Sequence, residues 1–292
     1  MMSFQETLSI TEAMREAADV LRSSGVPEAR REAASLLAFT IERDRAFLLT
    51  HPEYLLTTEE AISFRAVVER RAAGEPQQYI TGQQEFYGLE FEVTPDVLIP
   101  RPETELLVET ALRLLDETDA PHHICDVGTG SGCIAISILH EWTHALKGTG
   151  LDISVRALSI AARNAKRHGV YGRLNLIASD CFAAIDLAEP RFSMIVSNPP
   201  YVAEAALEGL QREVRDYEPR VALTPGTDGL RIIRRLLTDA PRLLFPGGHL
   251  LIEIGFDQHA AVGELIDPGV WGLLDIHRDL QGIPRIVALR KL

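Results

Sequence analysis

Apolar residues in the first quarter of the chain recur at helical spacing. Ala13, Ala17, Ala18 and Leu21 fall at i, i+4, i+5 and i+8, and Ala33, Leu36, Leu37 and Phe39 continue the pattern. One face of each segment is therefore apolar, as a helix packed on neighbours requires. Pro27 behind Ser23-Ser-Gly25, and His51-Pro52 ahead of Leu56-Thr-Thr-Glu-Glu60, break the pattern into several helices between Ile10 and Ala73. Residues 1–75 are expected to form a small helical domain, near the lower size that holds its own core.

The period then changes. From Tyr79 to Val93 apolar and polar residues alternate around Gly82 and Gly88, which predicts a β-hairpin joining two halves over residues 76–95. In Leu98-Ile-Pro-Arg-Pro-Glu-Thr-Glu105 two prolines impose an extended entry before Glu103 and Glu105 open a helix. Such an elbow either punctuates a domain junction or walls a cleft. Strands at 123–127, ending at Asp152, at 174–178, 194–196 and 249–254 alternate with helices at 134–140, 155–164 and 230–240. That order predicts an open, mostly parallel α/β sheet over residues 96–292. No helical pattern separates Trp271–Ile276 from Pro284–Leu289, so the sheet is expected to close with an antiparallel hairpin.

Composition narrows the function. The 292 residues carry 29 Lys and Arg against 42 Asp and Glu, a formal net charge of -13, which argues against a chain whose main task is to wrap DNA or RNA. Cys125, Cys133 and Cys181 form no Cys-x-x-Cys pair, so neither zinc nor a disulfide framework is indicated, and no metal is expected. With no apolar window of about 20 residues, the chain is expected to be cytoplasmic and without membrane contact. The helical domain, acidic on balance, reads as a protein-binding or positioning module or as a structural cap.

The candidate chemistry lies after two strands. Asp126-Val-Gly-Thr-Gly-Ser-Gly-Cys133 follows the first strand of the sheet, where glycines allow close approach of a ligand. A dinucleotide fingerprint would put its third glycine where Cys133 stands, and Asp126 would repel a diphosphate yet pair with an ammonium group. Asp152, ending the next strand, is placed to accept ribose hydroxyls, which both a nicotinamide cofactor and S-adenosylmethionine carry. An amino-acid end, a ribose and no diphosphate favour S-adenosylmethionine. Further on, Ser197-Asn-Pro-Pro-Tyr201 ends a strand. Pro199 and Pro200 lack N–H groups, so the carbonyls of Asn198 and Pro199 lose ladder partners. With Asn198 Oδ1 they form acceptors for an NH2 group, and Tyr201 offers an aromatic face. A plain proline turn is the alternative.

These residues carry a resemblance. Asp126-Val-Gly-Thr-Gly-Ser-Gly132 followed by Ser197-Asn-Pro-Pro-Tyr201 resembles the class I S-adenosylmethionine-dependent methyltransferases that modify planar NH2 groups, DNA adenine enzymes among them. Leu98–Glu105, Tyr79-Ile-Thr-Gly82, Ser179-Asp-Cys-Phe182 and Tyr217-Glu-Pro-Arg-Val-Ala-Leu223 are similar to the HemK/PrmC family, the peptide chain release factor N5-glutamine methyltransferases. The resemblance covers nearly the whole chain. It implies a Rossmann-like seven-stranded sheet with a small N-terminal helical domain. It also implies cofactor contacts at Asp126, Gly128, Thr129, Gly130, Ser131, Gly132, Asp152, Asp180, Cys181 and Asn198. Substrate contacts fall at Asn198, Pro199, Pro200 and Tyr201, with Asn198, Pro199 and Tyr201 at the reacting amide. Cys181 stands where the family often has a bulky aromatic. The implied substrate is the glutamine of the Gly-Gly-Gln loop of class I release factors, with no direct specific nucleic-acid binding. An N6-adenine methyltransferase acting on nucleic acid is the alternative reading.

Overall fold

The computed structural model describes residues 8–116, 122–142 and 145–292. Residues 1–7, where the expected helical domain begins, lie outside the described residues. In chain order the elements are α1 (Ile10–Ser23), α2 (Ala29–Thr40), α3 (Arg45–Thr50), α4 (Thr58–Ala72), α5 (Gln77–Thr81), β1 (Gln83–Phe86), β2 (Leu89–Glu92), α6 (Glu105–Asp116), β3 (His122–Val127), α7 (Cys133–Glu141), β4 (Leu146–Asp152), α8 (Val155–Arg167), β5 (Leu174–Ala178), β6 (Phe192–Ser197), α9 (Arg212–Tyr217), α10 (Arg220–Leu223), α11 (Arg231–Leu243), β7 (Leu244–Glu253), α12 (His259–Leu265), β8 (Trp271–Arg278) and β9 (Pro284–Lys291). The described residues form two compact units, those up to Gly82 with Arg212–Tyr217, and those of 83–211 with 218–292.

In the helical unit, α1 and α4 start at reciprocal caps. The Ser9 side chain accepts the Glu12 N–H while the Glu12 carboxylate accepts the Ser9 N–H, and Thr57 and Glu60 repeat the arrangement. Each cap satisfies two N–H groups that the first turn leaves without partners. The apolar stripe of α1 (Ile10, Ala13, Ala17, Leu21) packs with Leu36 and Leu37 of α2 and Phe64 and Val68 of α4. Arg71 of α4 is buried and shared by Glu32 and Glu213, so α9 is pinned into this unit by charge. The sequence predicts extended chain from Tyr79, but 77–81 is a short helix. Ile80 joins the helical core, and Gly82, at φ 74°, ends the turn in the left-handed region. The hairpin proper is β1–β2, turning at Tyr87-Gly88.

The larger unit holds a seven-stranded sheet in the order β5-β4-β3-β6-β7-β9-β8. The first five strands in that order run parallel, and β9 and β8 close the sheet antiparallel. β6 is buried at every residue, which its largely apolar sequence anticipates. Its side chains alternate, Met194 and Val196 entering the core that contains Leu107, Ala111 and Ile136, and Ile195 entering the core of Ile233, Leu236 and Leu243. Strand order runs outward from β3 to β5, then restarts on the opposite side of β3 with β6. A crevice must open at the carboxyl ends of β3 and β6, where their outgoing chains diverge. Asp126 of β3 is paired with Val196 of β6, so the glycine loop and Asn198 leave the sheet side by side.

Candidate active site

At that switch point lies a cleft whose empty space, counted out to the solvent, is about 910 Å³. Val127, Gly128 and Gly130 line it from β3, Asp152 from β4, Asp180 and Cys181 from the turn after β5, and Asn198, Pro199 and Pro200 from the end of β6. The structure thus brings together residues from four separate stretches of the chain, from Val127 to Pro200. Thr129, Ser131 and Gly132 lie in the same loop but do not line the cleft, and neither does Tyr201.

The loop is shaped for a ligand that is not a diphosphate. The N–H groups of Gly128 and Thr129 both donate to the Leu151 carbonyl at 2.8 and 2.9 Å, that of Gly132 to Thr129, and that of Gly130 to Asp152 Oδ2 at 2.8 Å. A phosphate cradle needs such N–H groups free. Here a carboxylate already occupies the mouth. The three loop glycines divide the work: a Cβ on Gly128 would meet nothing within 4 Å, whereas one on Gly132 would come within 2.7 Å of Ile136 Cδ1 and 3.2 Å of Ala161 Cβ. Gly128 keeps the cleft open, and Gly132 lets α7 approach α8.

Asp152 accepts the Gly130 N–H through Oδ2 and the Ser154 N–H through Oδ1. Burial pushes its pKa up, against those two hydrogen bonds. Asp126 is placed differently from the ligand-facing role the sequence suggests. It is completely buried, so no ammonium group can touch it directly. Its Oδ2 accepts from Thr129 Oγ1 at 2.7 Å and from the Ala135 N–H at 3.3 Å, tying the loop to α7, while Oδ1 has no hydrogen-bond partner. Burial raises its pKa to about 7. Asp126 braces the loop from beneath.

On the far side of the cleft, Ser179 Oγ donates to the Cys181 carbonyl at 2.7 Å and Asp180 pairs with Arg235 at 2.6 Å. This holds Cys181 at φ 48°, a left-handed backbone that non-glycine residues seldom adopt. Its buried thiol is pushed up in pKa by desolvation.

Asn198 is held from behind. Its Nδ2 donates to Thr104 Oγ1 at 3.0 Å, so the amide turns Oδ1 away from Thr104, and among the described residues nothing donates to Oδ1 or to the Pro199 carbonyl. Two acceptors without a donor therefore lie on residues that line the cleft. Tyr201 anchors this segment instead of lining the cleft: its carbonyl accepts Gln258 Nε2 at 3.0 Å, and burial lifts its phenol pKa to about 12. The elbow motif contributes twice, through Thr104 and through Arg101, which pairs with the buried Glu218 of the Tyr217–Leu223 stretch. Thr104 has no role in the sequence reading. Its only signal was membership of a motif ahead of a helix, 94 residues from its partner. Among the described residues no cluster of His, Cys, Asp or Glu could hold a metal, and no helix is long and apolar enough to cross a membrane.

Known proteins resemble this chain along most of its length. Residues 12–82 match the family model described as PrmC N-terminal domain, and residues 102–214 that of the Methyltransferase small domain. A release factor glutamine methyltransferase of Koribacter versatilis is 43% identical over 97% of this chain and 99% of its own length. One of Nitratidesulfovibrio vulgaris is 41% identical over 95% and 94%. Among solved structures, a 16S rRNA methyltransferase of T. thermophilus, in complex with AdoMet and guanosine, matches with a TM-score of 0.50 at 17% identity, over 72% of this chain and 50% of that one, which shows a shared fold. With identity above 40% sustained from end to end, the chain belongs to the release factor glutamine methyltransferase family.

Proposed function

We propose that the protein transfers a methyl group from S-adenosylmethionine to the side-chain amide nitrogen of a release factor glutamine. The observation that carries this reading is the pair of unpartnered acceptors, Asn198 Oδ1 and the Pro199 carbonyl, beside a loop whose three glycine N–H groups are already satisfied. Relatives matched along their whole length act on release factor glutamine by name. Gly128, Gly130 and Asp152 would hold the amino-acid and ribose portions of the cofactor, with Asp180 and Cys181 at its adenine end. Asp126 serves by bracing the loop. When bound, S-adenosylmethionine supplies an electrophilic methyl group.

The residues of the chain do the rest by geometry. An amide nitrogen is a poor nucleophile because its lone pair is delocalised into the carbonyl. Two fixed acceptors on its hydrogens orient it and favour the positive charge that grows there during transfer. The product amide, protonated on nitrogen, is acidic enough to lose its proton to water, so no histidine or carboxylate need touch it. The glutamine of an exposed Gly-Gly-Gln loop fits a cleft open to solvent, and the helical unit, up to Gly82 with Arg212–Tyr217, is assigned to hold the body of the factor.

The test is incubation of the protein with purified release factor and cofactor, followed by peptide mapping. One added methyl on the loop glutamine is expected. An unmodified factor beside methylated adenine in a nucleic-acid control would overturn the reading.

A further inference from the structure

Behind Asn198, away from the cleft, two polar side chains are buried with no role in cofactor or substrate contact. Thr104 and Glu253 are each 2% exposed. Their positions follow from the topology: Ser197 of β6 pairs with Ile252 of β7, so the next residue of each strand, Asn198 and Glu253, stand beside one another, and Thr104 arrives from the elbow before α6. The Asn198 Nδ2 donates to Thr104 Oγ1 at 3.0 Å. Glu253 lies within the influence of the Thr104 hydroxyl, which opposes the rise in its pKa that burial causes, and its Oε2 has no hydrogen-bond partner.

A hydroxyl has one hydrogen, so this chain has a direction. A carboxylate is acceptor-only and must take the Thr104 hydrogen. Thr104 Oγ1 is then left as an acceptor, which only the NH2 end of Asn198 can satisfy. We propose that Thr104 and Glu253 are positioning residues for methyl transfer, which fix the Asn198 amide so that it presents only its carbonyl oxygen to the substrate NH2. This rests on the proposed glutamine reaction.

The same chain can run backwards. If Glu253 takes up a proton it becomes a donor to Thr104, Thr104 can donate to Asn198 Oδ1, and the amide turns its NH2 to the cleft. A donor then faces the substrate's N–H groups where an acceptor is needed. Burial raises the Glu253 pKa to about 7, so both directions are populated near neutrality. The groups that face it are Arg101 and Glu103 of the elbow, Arg285 of β9, Tyr201 after β6 and Cys133 of α7. Arg101 and Arg285 favour the carboxylate, and Glu103 opposes it.

The test compares the wild-type protein with Thr104→Val, Thr104→Ser and Glu253→Gln on purified release factor, measuring kcat and KM across about pH 5.5 to about pH 8.5, with cofactor affinity by calorimetry. Wild-type kcat is expected to fall as pH drops through about 7. Thr104→Val should lose roughly tenfold in kcat with cofactor affinity within about twofold, since one neutral hydrogen bond is removed. Thr104→Ser should restore most of the rate, and Glu253→Gln should flatten the acidic limb. Wild-type kcat in Thr104→Val overturns the inference, as does a loss that serine does not repair. An acidic limb unchanged in a folded Glu253→Gln removes Glu253 from it, and the Thr104 pair stands as an independent check where that variant folds poorly. A wild-type protein that methylates no release factor overturns the function itself, and the inference with it.

Discussion

Asp152 and Gly130 are joined by a hydrogen bond of 2.8 Å from the loop N–H to Oδ2, and the second carboxylate oxygen takes the Ser154 N–H at 2.8 Å. The acid that would read the cofactor's ribose is thus also the acid that closes the glycine loop. Asp152→Ala should therefore weaken cofactor binding by about 1–3 kcal/mol, the usual loss when a charged hydrogen bond is removed. Asp152→Asn keeps an acceptor for Gly130 and should lose less. Calorimetry with the cofactor checks both, and equal affinity in all three proteins would release Asp152 from the ribose.

The glycines of the loop predict two separate phenotypes. Gly128 and Gly132 both sit in the left-handed region, at φ 77° and 83°, so alanine carries a similar backbone strain of about 1–2 kcal/mol at each. Only Gly132 faces a wall, with Ile136 at 2.7 Å from the added carbon. Gly132→Ala should be destabilised further, by about 1–3 kcal/mol of overpacking, and so melt at the lower temperature of the two. Gly128→Ala should instead cost cofactor affinity, because its methyl enters the cleft. Melting curves with and without cofactor separate the two.

Asn198→Ala should reduce turnover by about 10²–10³ while leaving cofactor affinity nearly intact, the pattern for loss of one preorganised partner of the reacting group. Asn198→Asp is sharper. It keeps an acceptor but cannot donate to Thr104 when ionised, and it places a negative charge in the cleft. Single-turnover rates alongside cofactor binding decide the matter, and a parental rate in Asn198→Ala would end the amide-clamp mechanism.

Asp126 makes stability depend on pH in a stated direction. Its folded pKa of about 7 lies above the unfolded value near 3.9, so between those limits the folded state holds more protons than the unfolded. Stability from this group is greatest below pH of about 4, falls as pH rises to about 7, and is level beyond. In Asp126→Asn that component vanishes. Relative to wild type, the variant should gain on the order of 2–4 kcal/mol between pH 4 and 8, offset by a constant amount for an unpaired amide hydrogen. Denaturant curves at both pH values give the difference, and parallel behaviour of the two proteins would place the titration elsewhere.

What the sequence made legible had local causes. The loop glycines, Asp152 at a strand end and the Pro199-Pro200 stop each impose their geometry within a few residues, so the cleft could be sketched from them. The closing hairpin was readable because no helical period separates Trp271 from Pro284. The failures are of two kinds. Helices α5, α9 and α10 span 5, 6 and 4 residues, less than two turns, and a period cannot be read over so short a window. Other features depend on partners distant in the chain: Thr104 reaches Asn198, Arg101 reaches Glu218, and Arg71 draws Glu213 into the helical unit. Asp126 was recognisable as an acid at the loop but not as a buried one, since burial is decided by α7 packing over it.

The substrate itself gives the last test. Two acceptors select an NH2 group, but they would select any carboxamide, so preference for a release factor must come from contacts remote from the amide. Removing residues 1–75 is a poor probe of those contacts, because Arg71 holds Glu213 and the Ala73 carbonyl accepts from the Tyr217 hydroxyl, and the cut would strip α9 of its partners. The substrate should be truncated instead. Free glutamine and a short peptide of the Gly-Gly-Gln loop present the same amide without the body of the factor, and binding energy from distant surfaces can no longer position it. Their kcat/KM should fall about 10²-fold or more below that of the whole factor, with cofactor affinity the same in every assay. A loop peptide that reacts as well as the intact factor would show that recognition is confined to the cleft, and would leave the helical unit without a part in choosing the substrate.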